Sequence, residues 1–422
     1  MGSLLRTLFI STVLITSACK NVSDQTDYEY LDSWDVQAIT LQNRISQNAP
    51  LRVAEFPATH NSFNAKDYSN GISYPDPNHI PSMLNQLRMG KRMINMDLHW
   101  DVHYNKSTKL ITTDVVLCHD SSDFGFCSLW DRTFDEGLLE IKPWLEENDE
   151  VVILKLQDEL DGHYAEALTK IEALIGDLVY TPSTPCETFD LEIAKQDILA
   201  LGKKIIITGA TSSTCNLPWG RYVFFDEGMF GSVDYESFEP YPVCNDAIDD
   251  IQRKIYKSNN DGTAVSQIIL GSKIMTAGEV SNLAQCGVTG ISFEPMEWWD
   301  ERHRAQIWSW DLDLPADDTA KNCALQQANG RFADVSCNGL HAYACQHPTN
   351  RDWRITNTRG TWSAGAHACS NEYGSDGYAF STPANGYENA ELKRSVITAQ
   401  NNNPTIWMNY SDSMQEGNWI AH

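Results

Sequence analysis

Three apolar, strand-like runs in this chain end in the same few polar residue types. Arg52 to Thr59 runs into His60-Asn61-Ser62, Arg92 to Trp100 carries Asn95 and Asp97 two residues apart, and Thr112 to Cys118 runs into His119. Alternate residues of a strand share a face, and strands whose ends converge bring such groups to one point. The pattern constrains the chain to a layered β/α fold with its chemistry at the strand ends. Two imidazoles, an acid and several hard oxygen donors around one substrate suit cleavage of a phosphodiester.

Further runs of the same kind cover Glu150 to Leu156, Lys203 to Gly209, Tyr222 to Asp226, Gly287 to Phe293 and Ala305 to Trp310. Tyr164 to Ile175 has helical spacing, with Ala165, Leu168, Ile171 and Ile175 on one side. Strands alternating with helices or loops predict an α/β fold, an irregular TIM-type β/α barrel. Beyond Pro315 the character changes: Cys323, Cys337, Cys345 and Cys369 crowd together and helical periodicity fades. The chain therefore divides into an export signal at 1–18, a polar, mobile linker at 19–50, the barrel at 51–312 and a small disulfide-rich α+β module at 313–422.

At 422 residues the chain has room for a substantial core, and its formal net charge of −26 excludes the basic tracks that follow nucleic-acid phosphates. The same acidity opposes adsorption to anionic lipid, so action at a membrane calls for a bridging cation, a local exception or a covalent anchor. Arg6, the apolar Thr7 to Ile15 and the small residues Thr16-Ser17-Ala18 before Cys19 read as a cleaved export signal. Its end resembles a bacterial lipobox, although Thr16 stands where leucine is usual. An outer-membrane or cell-surface lipoprotein is expected, with plain secretion as the alternative. Eleven cysteines less Cys19 leave ten, enough for five disulfides in an oxidising compartment. Cys118 with Cys127, Cys186 with Cys215, and Cys244 with Cys286 are the natural pairs.

Thr59-His60-Asn61-Ser62, Asn95-Met96-Asp97, Cys118-His119-Asp120 and Leu154-Lys155-Leu156-Gln157-Asp158 resemble, in order and spacing, the catalytic region of phosphatidylinositol-specific phospholipases C. The resemblance covers roughly Leu51 to Asp311. It implies a distorted β/α barrel that cleaves phosphatidylinositol by attack of the inositol 2-hydroxyl, giving diacylglycerol and a cyclic inositol phosphate. By that resemblance His60 serves the nucleophile side and His119 the leaving-group side, and Asp97 is the third catalytic residue. A histidine titrates near neutrality and can fill either role.

One bacterial branch of that family carries arginine two residues after the strand-two acid, where this chain has His99. Calcium is then the expected source of positive charge, with Asn61, Asn95, Asp97 and Gln157 as oxygen ligands. Asn95 and Gln157 stand where calcium-dependent relatives have glutamates, so magnesium or no metal are the alternatives, and His60 or Asp97 rather than Asn95 is the proton acceptor. Glu294 or Asp311, at the ends of late runs, is placed to orient His60. His79, His99, His103, His163, His303 and His341 show no partner in the sequence and read as surface or structural.

The last hundred residues resemble a C-type-lectin-like domain with its halves in reversed order. Cys323-Ala324, Gly330 to Asp334, Cys337 and Tyr343-Ala344-Cys345 look like the closing half. Trp362, Ala368-Cys369, Ile406-Trp407-Met408 and Glu416 to Trp419 look like the opening half. The resemblance pairs Cys323 with Cys337 and Cys345 with Cys369. Phe332-Ala333-Asp334 replaces the Trp-Asn-Asp of true lectins, so a stabilising cap or protein contact is expected ahead of glycan binding. Together these readings predict an enzyme acting on phospholipid at a membrane surface. The rivals are a glycerophosphodiesterase or sphingomyelinase-like barrel, and a degenerate glycan-binding surface protein.

Overall fold

The computed structural model describes residues 29–70, 72–119, 127–244, 253–260, 262–399 and 405–422. The export signal, Cys19 and Asp120 lie outside them. No helix among the described residues is long and apolar enough to cross a membrane.

The first sheet is mainly parallel. It contains β1 (Ala58–Thr59), β2 (Met93–Asn105), β4 (Val152–Glu159), β5 (Val179–Tyr180), β6 (Ile205–Ala210) and β7 (Val223–Phe225), with β3 (Leu110–Leu117) antiparallel to β2. A second parallel sheet holds β8 (Phe230–Ser232), β9 (Ile255–Ser258) and β10 (Gly290–Ile291). The Phe56 N–H donates to Thr289 O at 3.3 Å, linking the approach to β1 with the run into β10. Among the described residues no strand ladder joins the two sheets, which makes the barrel an irregular one.

Alternation decides which residues meet. Phe56, Ala58, Met93, Ile153, Ile206, Phe224 and Ile255 form one buried cluster inside the wall. Their neighbours in sequence, among them Ile94, Leu154, Ile205 and Ile207, face outward onto helices Phe134–Glu147 and Tyr164–Leu174. Two residues further along the same inner face come His60, Asn95, Lys155, Thr208, Asp226 and Lys257. The polar residues of the sequence motifs thus form the next layer of one barrel interior.

Several expectations need correction. Thr112 to Cys118 is not a barrel stave but the returning arm of a hairpin on β2, and Ala305 to Trp310 forms no strand, following the helix Glu301–Ala305. The short strands β8 and β9 stand in the second sheet instead; they are too brief to register as apolar runs. The supposed linker contains the helix Trp34–Ile45, which buries Asp35, Gln42 and Asn43 besides Val36, Ala38, Ile39 and Ile45. Its buried polar residues, which have partners, disguised its packed face: Gln42 Oε1 accepts from Trp308 N at 2.8 Å and from Ser309 N at 3.2 Å.

The C-terminal module is an α+β unit. Its sheet runs in the order β12 (Phe332–Val335), β11 (Cys323–Gln326), β16 (Ile406–Ser411), β13 (Ala342–Gln346), β14 (Trp353–Ile355), with β15 (Ala379–Phe380) also on β13 and β17 (Ile420–Ala421) also on β16, beside helices Gly365–Tyr373 and Gly386–Ala399 that the sequence pattern did not announce. All five expected disulfides form: Cys118–Cys127, Cys186–Cys215, Cys244–Cys286, Cys323–Cys337 and Cys345–Cys369. The module does not stand apart at residue 313. Val280, Leu283 and Trp308 share one hydrophobic cluster with Phe332, Leu392, Ile406, Tyr410 and Trp419.

Candidate active site

After β1 the chain turns sharply, with Asn61 in the left-handed region at φ 47°, a conformation asparagine adopts more readily than most residues. β2 pins that turn. The Asn61 N–H donates to Asn95 Oδ1 at 2.9 Å, the Ser62 N–H to Asn95 O at 3.0 Å, and the Asn95 N–H to Ser62 Oγ at 2.8 Å. Gln86 closes the group, donating to Ser62 O at 2.9 Å and accepting from the Thr59 hydroxyl at 2.8 Å. Thr59 and Ser62 therefore shape the turn, and His60 is the residue it presents.

His60 is held at three points. Its Nδ1 lies 2.9 Å from Glu294 Oε1, its N–H donates to Ser292 Oγ at 2.9 Å, and its carbonyl accepts from His79 Nε2 at 2.6 Å. Glu294 is fully buried, and its second oxygen accepts from Asn78 Nδ2 at 2.8 Å and the Gly262 N–H at 3.1 Å. Burial pushes the carboxyl upward, but the hydrogen bond and charge of His60, then His79 and Asn78, outweigh it and hold Glu294 below the ordinary carboxylate range. Glu294 is thus a carboxylate, and His60 carries its hydrogen on Nδ1 in the neutral form. A Cβ at position 262 would fall 2.2 Å from Glu294 O, so only glycine brings this N–H so close.

His79 corrects the expectation that it has no partner. Burial pushes it down to about 4, so the ring is neutral near neutrality. Met296 N–H donates to Nδ1 at 3.4 Å, leaving Nε2 as the donor to the His60 carbonyl. Asp311, the other residue considered for orienting His60, instead accepts from Gln327 at 3.0 Å and Asn329 at 3.2 Å in the C-terminal module.

Asp97 lies two residues beyond Asn95, buried to 6% exposure. Burial pushes its carboxyl up to about 6, against the opposing charges of His60, His119 and His99. The acid thus shares one electrostatic neighbourhood with both histidines singled out from sequence. His99 sits against the Cys118–Cys127 disulfide, whose sulfurs are already bonded and form no metal site.

Of the oxygen donors named for a cation, Asp97 offers the single carboxylate and Asn61 Oδ1 is buried with no hydrogen-bond partner among the described residues. Asn95 Oδ1 already accepts from Asn61, while its Nδ2 donates to Asp97 Oδ1 at 3.3 Å and Lys155 O at 3.2 Å. Gln157 is exposed and stands beside Asp97 in the β2–β4 register. This set fits a hard cation that takes further oxygens from solvent or substrate; calcium usually gathers about six to eight. Sequence reasoning missed Asn78, His79, Gly262 and Ser292. Only Ser292 carried a signal, since Ser292 and Glu294 sit two apart at a strand end, as Asn95 and Asp97 do.

A model of the Rv2075c PI-PLC-like domain family matches residues 15–296, well over half of the chain. Two Mycobacterium tuberculosis proteins are similar over 395 residues at 27% identity: "Uncharacterized protein MT2135" of strain CDC 1551 / Oshkosh and "Uncharacterized protein Rv2075c" of strain ATCC 25618 / H37Rv. Each alignment covers 86% of this chain and 77% of the relative. Among solved structures, the phosphatidylinositol-specific phospholipase C from Listeria monocytogenes is 15% identical, with a TM-score of 0.40 over 64% of this chain and 97% of that one. A calcium-dependent phosphoinositol-specific phospholipase C from Pseudomonas sp is 11% identical, with a TM-score of 0.33 over 62% of this chain and 94% of that one. His60, Asp97, His119 and Glu294 all fall within the stretch that the family model matches, and the chain belongs to the Rv2075c PI-PLC-like domain family.

Proposed function

We propose that the protein is an exported phosphodiesterase that cleaves phosphatidylinositol-type lipids to diacylglycerol and a cyclic inositol phosphate. The observation that carries the reading is the His60–Glu294 pair, 2.9 Å apart, beside a buried Asp97 that also feels the charge of His119. With Glu294 holding the proton on Nδ1, His60 Nε2 takes the proton of the inositol 2-hydroxyl as that oxygen attacks phosphorus. The imidazolium that forms is stabilised by the buried carboxylate. His119 gives a proton to the departing glycerol oxygen, and Asp97 favours the charged imidazoles at both ends of the transfer. A hard cation, preferably calcium, would be held by Asp97, Asn61, Gln157 and the Asn95 oxygen, and would supply positive charge for the non-bridging phosphate oxygens. The five disulfides fit maturation in an oxidising compartment.

Product analysis tests the reading. Purified protein is incubated with phosphatidylinositol, a glycerophosphodiester or sphingomyelin, with and without calcium, and products are identified by phosphorus NMR. Cyclic inositol phosphate from the first substrate alone is expected. Turnover confined to either of the others assigns a different phosphodiesterase, and no turnover of any favours a degenerate binding protein.

A further inference from the structure

The inner layer that carries His60 and Asn95 continues round the barrel wall with an unusual charge balance. Lys155 pairs with Asn95 across β2–β4 and with Thr208 across β4–β6, while Lys257 on β9 stands between Ser232 and Gly290. Lys155 Nζ donates to Asp226 Oδ2 at 2.8 Å. Lys257 makes no ion pair among the described residues, yet it is close enough to the other two to feel both: burial and then the charge of Lys155 hold its ammonium below the ordinary lysine range, against the pull of Asp226. Two ammonium groups therefore stand in the neighbourhood of one carboxylate, which Lys155 alone bonds, inside the barrel of a chain whose net charge is −26.

A Lys155–Asp226 pair alone would be an ordinary half-buried bridge. The additional, uncompensated Lys257 costs stability, because a partly desolvated cation without a counter-ion is unfavourable. Thr208 Oγ1 and Asp226 Oδ1 are buried without hydrogen-bond partners among the described residues. A Cβ at Gly290 would come within 3.2 Å of Lys257 Cβ, so the glycine spares the lysine stem from crowding.

We propose that Lys155 and Lys257, with the Thr208 hydroxyl, form an anion subsite on the barrel wall that takes a phosphate group of the substrate. Asp226 sets the direction of Lys155 and leaves one positive charge in excess for the ligand. The proposal rests on the phospholipase reading for its substrate. The phosphate is either the scissile diester or a phosphomonoester elsewhere on the inositol ring.

Lys257 is the cleaner probe, because replacing Lys155 strands Asp226. Calorimetric titration of the full chain with inorganic phosphate should show binding that Lys257→Met weakens about tenfold or more and Lys257→Arg largely retains. The melting temperature of Lys257→Met should equal or exceed that of the wild type, since the uncompensated charge is gone. Absence of phosphate binding in the wild type, or equal binding in Lys257→Met, would overturn the subsite. Kinetics on phosphatidylinositol and on its ring-phosphorylated form separate the two sources. Loss on both assigns the scissile phosphate, loss confined to the phosphorylated lipid assigns the ring phosphomonoester, and loss on neither overturns the proposal. Since phosphate binding is read without turnover, a wild type that binds phosphate through Lys257 but cleaves neither lipid sinks the phospholipase reading and leaves the subsite standing.

Discussion

Glu294 Oε1 lies 2.9 Å from His60 Nδ1 although 234 residues separate them, so the pair exists only once the run into β10 is laid beside the end of β1. Glu294→Gln keeps the size of the side chain and removes the charge that favours the imidazolium. We predict a loss of about a hundredfold or more in kcat with folding intact. The alkaline and acid limbs of the pH–rate profile should shift with it. A variant with unchanged kcat and pH profile would reduce Glu294 to a structural residue.

His60 and His119 serve opposite ends of the proton transfer in the proposed mechanism, and Asp97 couples electrostatically to both. His60→Ala and His119→Ala should each cost about a hundredfold or more in turnover while circular dichroism stays close to wild type, with some loss of melting temperature in His60→Ala, which strands the buried Glu294. A lipid with a good leaving group in place of glycerol offers a finer measurement. It should restore much of the loss in His119→Ala and little in His60→Ala, because only the first lacks the proton donor for the leaving oxygen.

Much of this site was legible in the sequence because strand alternation is a short-range rule. Asn95 and Asp97 sit two apart, and His60 and His119 each follow an apolar run. Neighbouring residues set those positions. The partners of His60 were another matter: the end of a late apolar run marked Glu294 only as one of two candidates, beside Asp311, and nothing local marks Asn78 and His79, which come from the loop between β1 and β2. The same limit applied to the fold. β8 and β9 are too short to announce themselves, and helix Trp34–Ile45 buries polar residues whose partners, such as Trp308, lie far along the chain. Patterns report a residue's own strand or helix, whereas barrel membership depends on what arrives later.

The cation reading makes its own forecast. Asn61 Oδ1 is buried without a partner among the described residues, and Asp97 supplies the one carboxylate of the proposed set. Chelation should strongly reduce activity and added calcium should restore it. Asn61→Ala should then raise the calcium concentration needed for half-maximal rate, by about tenfold or more, with less effect on the rate at saturation. A chelator that leaves the rate untouched removes the metal from the mechanism.

At the opposite end of the barrel, Glu55 accepts from the Trp308 indole at 2.8 Å, and burial pushes its carboxyl up from 4.5 to about 8 despite that bond and the nearby Lys195. The folded chain therefore keeps a proton on Glu55 that the unfolded chain releases near 4.5, so this group's contribution to stability falls as pH climbs from about 4.5 to about 8. Glu55→Gln retains an acceptor for Trp308 and has no charge to bury. Its stability relative to wild type should rise across that window, by about 1–3 kcal/mol, and level off above it. Urea unfolding at a series of pH values measures the difference, in which Lys195 largely cancels because both proteins carry it. A difference independent of pH would show that Glu55 is ionised in the fold.

The last prediction concerns how the two parts of the molecule are joined. Gly386 begins the module helix Gly386–Ala399, and a Cβ there would fall 2.1 Å from Ala284 O and 3.2 Å from Trp308 Cγ. The first contact is with backbone of the barrel helix Ala277–Gln285, which cannot swing aside as a side chain would. Gly386→Ala must therefore push the two helices apart or tilt the module. The shared cluster of Val280, Leu283, Trp308, Leu392 and Val396 opens in either case. Overpacking of this kind costs about 1–3 kcal/mol. Because that cluster spans both parts, wild type should melt in one transition, with barrel and module unfolding together. Gly386→Ala should lower the melting temperature and begin to separate the two parts, seen as a broadened or split calorimetric peak. An unchanged, single transition in the variant would mean that the module rides on the barrel without sharing its core.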